Sequence, residues 1–441
     1  MSESQGWKRY TIKENAYLRG RIGWQGLRAD EFCLEGPYLV TGTDFDRGRV
    51  NWTNCYHVSE ARFCEAVPIQ LREGDLLVTK DGTIGKIAHV QDCPDQAVLN
   101  SGVFLLRCAD GSFQHRFLYH VLTSHHFDEF LRQNLAGSTI NHLYQYVFEN
   151  FAFFAPDNAH QERICRILDL IDTQIEMTDA LIAKQERVRA GLMQDLFMRG
   201  VDEHGQLRPP HEEAPHLYHQ TELGLLPKGW EAPKLESLLA PIPTPMRSGP
   251  FGSALLKHEL ATSGIPFLGI DNIHVEHFKS NFIRFVTPVK FAELSRYRVL
   301  PDDVVITIMG TVGRCCVIPD GFGEMLSSKH LWTMTFDQSK VLPELVCWQL
   351  NHAPWVLSWF RARSQGGIMD AIQSSTLKEL RLPLPLMTEQ PRILKIYREA
   401  TYHLQMMRDE VSKLALQKSG LMQDLLTGKV SVASLLERAA A

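Results

Sequence analysis

No run of about 18 apolar residues occurs in this 441-residue chain, so nothing in it reads as a membrane-spanning helix. The opening MSESQGWKRY has neither the basic start nor the apolar stretch of a secretory leader, and the expected location is the cytoplasm. The nine cysteines, at 33, 55, 64, 93, 108, 165, 315, 316 and 347, form no CxxC pair and no zinc-finger spacing with histidine. They are expected to be reduced packing residues. Cys55, His57 and Cys64 lie close together but offer no fourth ligand, and no metal site is expected. An excess of cations is also missing: 46 Lys and Arg stand against 51 Asp and Glu. That balance disfavours wholesale nucleic-acid coating, yet it leaves room for a local basic face. Catalytic signatures are equally scarce. There is no Asn-Pro-Pro-aromatic tetrapeptide of the amino-methyltransferase kind and no G-x-x-x-x-G-K-[ST] phosphate loop. PDDVVIT has paired acids before a strand but no lysine at nuclease spacing.

What the sequence does contain is itself, twice. GLMQDL occurs at 191–196 and again at 420–425. A shift of 229 lays HQERICRILDLIDTQ (160–174) on EQPRILKIYREATYH (389–403), matching Gln161 to Gln390, Arg163 to Arg392 and Ile164 to Ile393. A shift of 228 lays EGDLLVTKDGTIGKIAHV (73–90) on PDDVVITIMGTVGRCCVI (301–318), and EGPYLVTGTD (35–44) on SGIPFLGIDN (263–272). Internal repetition at this scale means a tandem duplication, its halves meeting near TELGLLPKGWE (221–231). Each half opens on a Gly-Trp pair, Gly6-Trp7 and Gly229-Trp230. The runs DLLVTK, VFLLRC, DVVITIM and LWTMTF have the length and flanking turns of buried strands, and the aspartate before the first and third suggests a turn with a structural Asp.

Each half ends in a long segment of helical period. Ile393, Tyr397, Ala400, Leu404, Met407, Val411, Leu414 and Leu421 alternate steps of four and three, broken at Lys418. That is a heptad seam. Ile164, Leu168, Ile171, Ile175, Ile182 and Leu192 repeat it, broken at Thr178, Gln185 and Arg189. A segment of about 36 residues makes a rod of roughly 54 Å. Two matched seams point to helices paired with each other.

With this layout, the GLMQDLFMRG and GLMQDLLTGKVSV endings, the LPKGWE opening and EGDLLVTKDGTIGKIAHV, the whole chain resembles the specificity subunits of type I restriction-modification systems. The resemblance implies an α+β fold: a tandem pseudo-two-fold repeat of two mixed α/β target recognition domains, joined by two long helices that pair as an antiparallel coiled coil. The expected bounds are a first domain over 1–156, a helix over 157–200 and a linker over 201–228, then a second domain over 229–385, a helix over 386–426 and a tail over 427–441. It further implies a non-catalytic, DNA-binding subunit that reads an asymmetric bipartite target, one domain per half-site. Its partners would be double-stranded DNA, two methyltransferase subunits and motor-nuclease restriction subunits, with no membrane. No cofactor is expected in this chain, while S-adenosylmethionine, ATP and Mg belong to those partners. Two alternatives are a related system whose methyltransferase and nuclease share one chain, and a coiled-coil scaffold that binds no DNA.

Base edges are read by polar side chains and phosphates are held by cations and backbone N–H groups. In the first half TKDGTIGK offers Thr79, Lys80, Thr83 and Lys86, and TGTDFDRGRVNWTNCYH (41–57) offers Thr43, Arg47, Arg49, Asn51 and Tyr56. In the second half the candidates are Arg247, Ser248, Asn272, His274, Thr307, Thr311 and Arg314, with Lys329 in SSKH (327–330). AGSTINH (136–142) and RSQGG (363–367) are further candidate stretches. A plain hairpin turn or a solvated loop is the competing reading at each place. In the repeated hexapeptide, Leu192, Met193, Leu196, Leu421, Met422 and Leu425 are candidates for a partner surface or, equally, for closing the helix pair.

Overall fold

The computed structural model describes residues 6–21, 27–109, 111–135, 142–364 and 372–432. Most of AGSTINH and of RSQGG lies outside them. The chain divides into two compact units, one of residues 1–181 with 407–441, the other of residues 182–406.

In the first unit a six-stranded sheet runs, in spatial order, Ala16–Gly20, Val103–Cys108, Leu76–Thr79, Ile87–His89, Arg49–Val50 and Phe45–Asp46. In the second unit Met246–Ser248, Leu331–Met334, Val304–Thr307 and Cys315–Val317 form a sheet in the same order. The registers agree as well. Leu18 faces Leu106, Leu106 faces Leu76 and Leu76 faces His89. Met246 faces Met334, Met334 faces Val304 and Val304 faces Val317, each 228 residues on. The duplication seen in the letters is therefore a duplication of hydrogen-bond ladders. All four expected strands are present, and Leu76–Thr79 and Val304–Thr307 are buried along their whole length, as expected of apolar runs covered on both faces.

The aspartate ahead of each central strand is structural. Asp75 accepts from the backbone N–H of Arg72 at 2.7 Å, and Asp303 accepts from that of Leu300 at 2.7 Å. The arginine partner has changed place: Arg107 binds Asp75, with Nη2 to Oδ2 at 2.7 Å, whereas Arg247 binds Asp303.

The two long helices are Asn158–Met198 and Gln390–Leu425. Asp157 caps the first by accepting from His160 N at 3.0 Å, and Gly200 (φ 58°) and Gly428 (φ 69°) follow the two ends in the left-handed region. Buried glutamines tie each helix start to its domain. Gln161 bonds Gln114 N (2.8 Å) and Pro156 O (2.8 Å), and Gln390 bonds Leu342 N (2.8 Å) and Pro385 O (3.0 Å). These are the glutamines that the repeat superposes.

The seam is as its spacing predicts. Ile164, Leu168, Ile393, Tyr397, Leu404 and Leu414 are buried, and the remaining apolar seam positions are half-buried. Within each unit the helix segments run antiparallel. In the first, Ile164 and Leu168 share a core with Leu425, Met422 and half-buried Leu421, and further along Asp172 meets Lys418 at 2.5 Å. In the second, Met193 and Leu196 share a core with Ile393 and Leu394, while Arg189 reaches the Tyr397 hydroxyl at 3.4 Å. The seam's cationic interruptions thus cross to the opposite helix.

The repeated hexapeptide closes these two cores. Met193, Leu196, Met422 and Leu425 are buried in them, and Leu192 and Leu421 pack half-buried against them. Side chains already buried in their own unit leave little apolar area for a partner, so the expected partner surface is corrected in favour of the core-closing role.

Candidate nucleic-acid interface

The two glycine loops are built alike. The buried Thr79 hydroxyl donates to Thr83 O at 2.6 Å and accepts from Lys86 N at 2.9 Å. The buried Thr307 hydroxyl donates to Thr311 O and accepts from Arg314 N at 3.0 Å. Gly82 and Gly85 (φ 67° and 82°) turn the first loop, and Gly310 and Gly313 (φ 74° and 89°) turn the second. Gly85 is also a close approach, since a Cβ there would lie 2.3 Å from Leu131 Cδ1. Thr79 and Thr307 are therefore braces and not readers. What they display is Lys80, Thr83 and Lys86 in one domain and half-buried Thr311 and Arg314 in the other. Lys80 lies over the Phe104 ring, 5.0 Å from its centroid.

Other candidates are also spent inside the protein. Arg247 and Asp303 form a buried pair, and Arg247 adds bonds to Arg298 O (2.7 Å) and Thr335 Oγ1 (2.9 Å). Burial pulls the Arg247 pKa down and pushes that of Asp303 up. Buried Ser248 donates to Lys329 O at 3.3 Å. Buried Asn272 accepts from Gly269 N at 3.0 Å and donates to Lys279 O at 3.0 Å, fixing a turn. These three are corrected from DNA contacts to structural residues, because their polar atoms are satisfied away from solvent. Asn51 caps a short helical turn by accepting from Thr53 N at 3.2 Å. His274 Nε2 sits 3.2 Å from Asp271 O. Thr43 is exposed, its hydroxyl 2.7 Å from that of Thr41, and half-exposed Tyr56 packs on Phe32 at 5.3 Å. Arg47 and Arg49 face the first long helix, 3.4 Å from Asp179 and 3.2 Å from Glu176. Cys55 is a packing residue, its thiol pushed up to about 12 by burial and by Asp44, and His57 Nδ1 lies 2.6 Å from Gly36 O.

Two features were only partly read from the sequence, which singled out AGSTINH up to His142 and Lys329 in SSKH but not their surroundings. Beside the first glycine loop, Leu143 N donates to Lys80 O at 2.9 Å and His142 hydrogen-bonds Asp81. From there half-buried His142 and exposed Tyr144 and Tyr146 form a ladder, with centroids 4.6 Å and then 5.5 Å apart, and Tyr144 and Tyr146 are 46% and 65% exposed. The signal was the alternation HLYQY, with Leu143 turned into the core. In the second domain a cleft of about 530 Å³ has Lys257, Arg284, Lys329 and His330 around an apolar floor that includes Leu255 and Phe267. The buried Ser328 hydroxyl on its wall has no hydrogen-bond partner among the described residues. Burial and the neighbouring Lys329 and Arg284 lower the His330 pKa. Here SSKH, read as a candidate anion contact, does sit beside other cations. Cations and stackable rings around flexible-backbone turns are the chemistry that holds a polyanion carrying flat bases.

A signature described as the type I restriction modification DNA specificity domain matches residues 22–187. The type I restriction enzyme MjaVIII specificity subunit of Methanocaldococcus jannaschii is 21% identical over 98% of both chains. The first half of the chain thus matches the type I restriction modification DNA specificity domain, and nearly the whole chain is similar to a type I specificity subunit. The type I restriction enzyme EcoBI specificity subunit of Escherichia coli is 21% identical across 82% of this chain and 78% of its own length. A chain from a study of complex assembly and conformational transition of the type I R-M system superposes at a TM-score of 0.59, covering 97% of this chain and 99% of its own, at 15% identity. The type I S subunit from M. genitalium superposes at 0.52, covering 96% and 98%, at 16% identity. These likenesses establish the fold. Among the described residues no helix is long and apolar enough to cross a membrane.

Proposed function

We propose that this chain is a type I specificity subunit, which reads an asymmetric, two-part DNA sequence, one domain per half-site, and brings methyltransferase and restriction subunits to it. The carrying observation is the duplicated ladder with its duplicated glycine loop: two equivalent scaffolds display different side chains, Lys80 and Lys86 in the first against Arg314 in the second, where buried Ile308 takes the place of Lys80. Equal scaffolds with unequal displays suit two different half-sites. The net charge of −5 is compatible with this reading, because acids are gathered away from the glycine loops, four of them, Asp169, Asp172, Glu176 and Asp179, on the first long helix. The chain itself performs no chemistry in this account. S-adenosylmethionine, ATP and Mg act in the partner subunits, and the complex works in the cytoplasm.

Lys80→Ala in the assembled complex is expected to weaken methylation at one half-site and leave the other unchanged. Protection and methylation assays on targets with either half mutated would measure this. Equal losses at both halves would remove Lys80 from the interface.

A further inference from the structure

The first long helix carries Asp169, Asp172, Glu176 and Asp179 at steps of three, four and three, which place them on one face. The first domain lays arginines along that face: Arg116 Nε on Asp169 (2.7 Å), Arg49 on Glu176 (3.2 Å) and Arg47 on Asp179 (3.4 Å). His120 adds Nε2 to Asp169 at 2.9 Å, and Lys418 takes Asp172 at 2.5 Å. Burial alone would raise the Asp169 carboxyl, but bonds from His120 and Arg116 hold it at about 2. Although His120, Asp169 and Asp172 converge closely enough for a cation, Arg116 and Lys418 already supply the positive charge there.

At the equivalent places in the second half no acid remains, and the sign at two of the four is reversed. A shift of 229 puts Arg398, Thr401, Gln405 and Arg408 where the four acids stand. A shift of 228 puts Glu344 where Arg116 stands, and Glu276 where Gly48 stands, in the two-residue turn of the matching hairpin. Arg398 hydrogen-bonds Glu344, Glu276 accepts from the Tyr397 hydroxyl, and His352 Nε2 lies 2.5 Å from Glu276. The first domain sets arginines against an acidic helix face, while the second sets Glu344 against an arginine of its helix.

Such partly exposed pairs add little stability: the side chains of Arg47 and Arg49 are 55% and 52% exposed. Like charges brought together cost more than the pairs gain, so the pattern discriminates better than it stabilises. We propose that opposite charges key each target domain to its own helix, with Arg116, Arg49 and Arg47 in the first half and Glu344 in the second as positioning residues, and with Glu276 adding a hydrogen bond to the second helix through Tyr397. Neither domain then sits correctly on the other's helix. The consequence for reading DNA rests on the half-site function proposed above.

The test uses the exposed pair of the second half in the full chain with its methyltransferase partner. Glu344→Arg sets two arginines against each other, and Glu344→Arg/Arg398→Glu restores opposite charges in the order of the first half. Hydrogen exchange across 273–278 and 394–401 reads docking without reference to DNA, and methylation of each half-site reads its consequence. The single variant should lose exchange protection and about fivefold in second-half methylation, with the first half and the thermal midpoint unchanged. The double variant should recover both. Wild-type protection in the single variant, or no recovery in the double, would overturn the key. Recovered protection with methylation unmoved throughout would uphold the key and count against the half-site reading. In a second test, the first domain transplanted onto the second helix should dock only when Arg398→Asp and Gln405→Glu accompany it. Equal docking without them would also overturn the key.

Discussion

Arg247→Ala lowers the unfolding free energy of the second domain by about 3–5 kcal/mol. The arginine is 6% exposed and its partner Asp303 fully buried. Truncation leaves a carboxylate sealed in the sheet with only the Thr335 hydroxyl and the Leu300 N–H to stabilise it. It also strands Arg298 O, which loses its 2.7 Å donor. Lysine does not rescue, because three separate acceptors are met by one planar fork that an ammonium cannot reproduce. Removing both charges, as Arg247→Met with Asp303→Leu, recovers much of the loss, since the penalty comes from the unpaired ion. Denaturant melts measure the effect, with DNA binding normalised to folded protein and unchanged. Wild-type stability with a loss confined to DNA affinity would return Arg247 to the interface.

The second large effect is a change of target. Replacing the second domain by that of a known type I specificity subunit, with both long helices kept, is expected to exchange the second half of the target and preserve the first. A new half-site should gain what separates specific from non-specific binding, typically about 10³–10⁷-fold. The donor domain should carry an acid at the place of Glu344, to match Arg398. Methylation mapping of the hybrid decides the matter: a change in both halves, or in neither, would contradict the assignment of one domain to each half-site.

The architecture was legible in the letters because it is periodic or repeated. The heptad steps gave a seam whose apolar members are all buried or half-buried, and the superposed Gln161 and Gln390 make equivalent bonds. Site residues were less legible for a physical reason. Thr, Asn, Ser and Arg are the residues that read bases and also those that brace turns, and sequence alone does not say which way a side chain points. Thr79, Thr307, Asn272, Ser248 and Arg247 all brace. The charge exchange between Arg116 with Asp169 and Glu344 with Arg398 was present in the alignment of the halves. It acquired meaning only when the fold brought each pair into contact.

Methylation mapped base by base across the genome tests the central claim most directly, comparing cells that hold the chain and its methyltransferase with cells lacking only this chain. The account predicts a split, asymmetric motif with methylated adenines that appears only when the chain is present. Unchanged methylation, with both partners expressed and assembled, would contradict it.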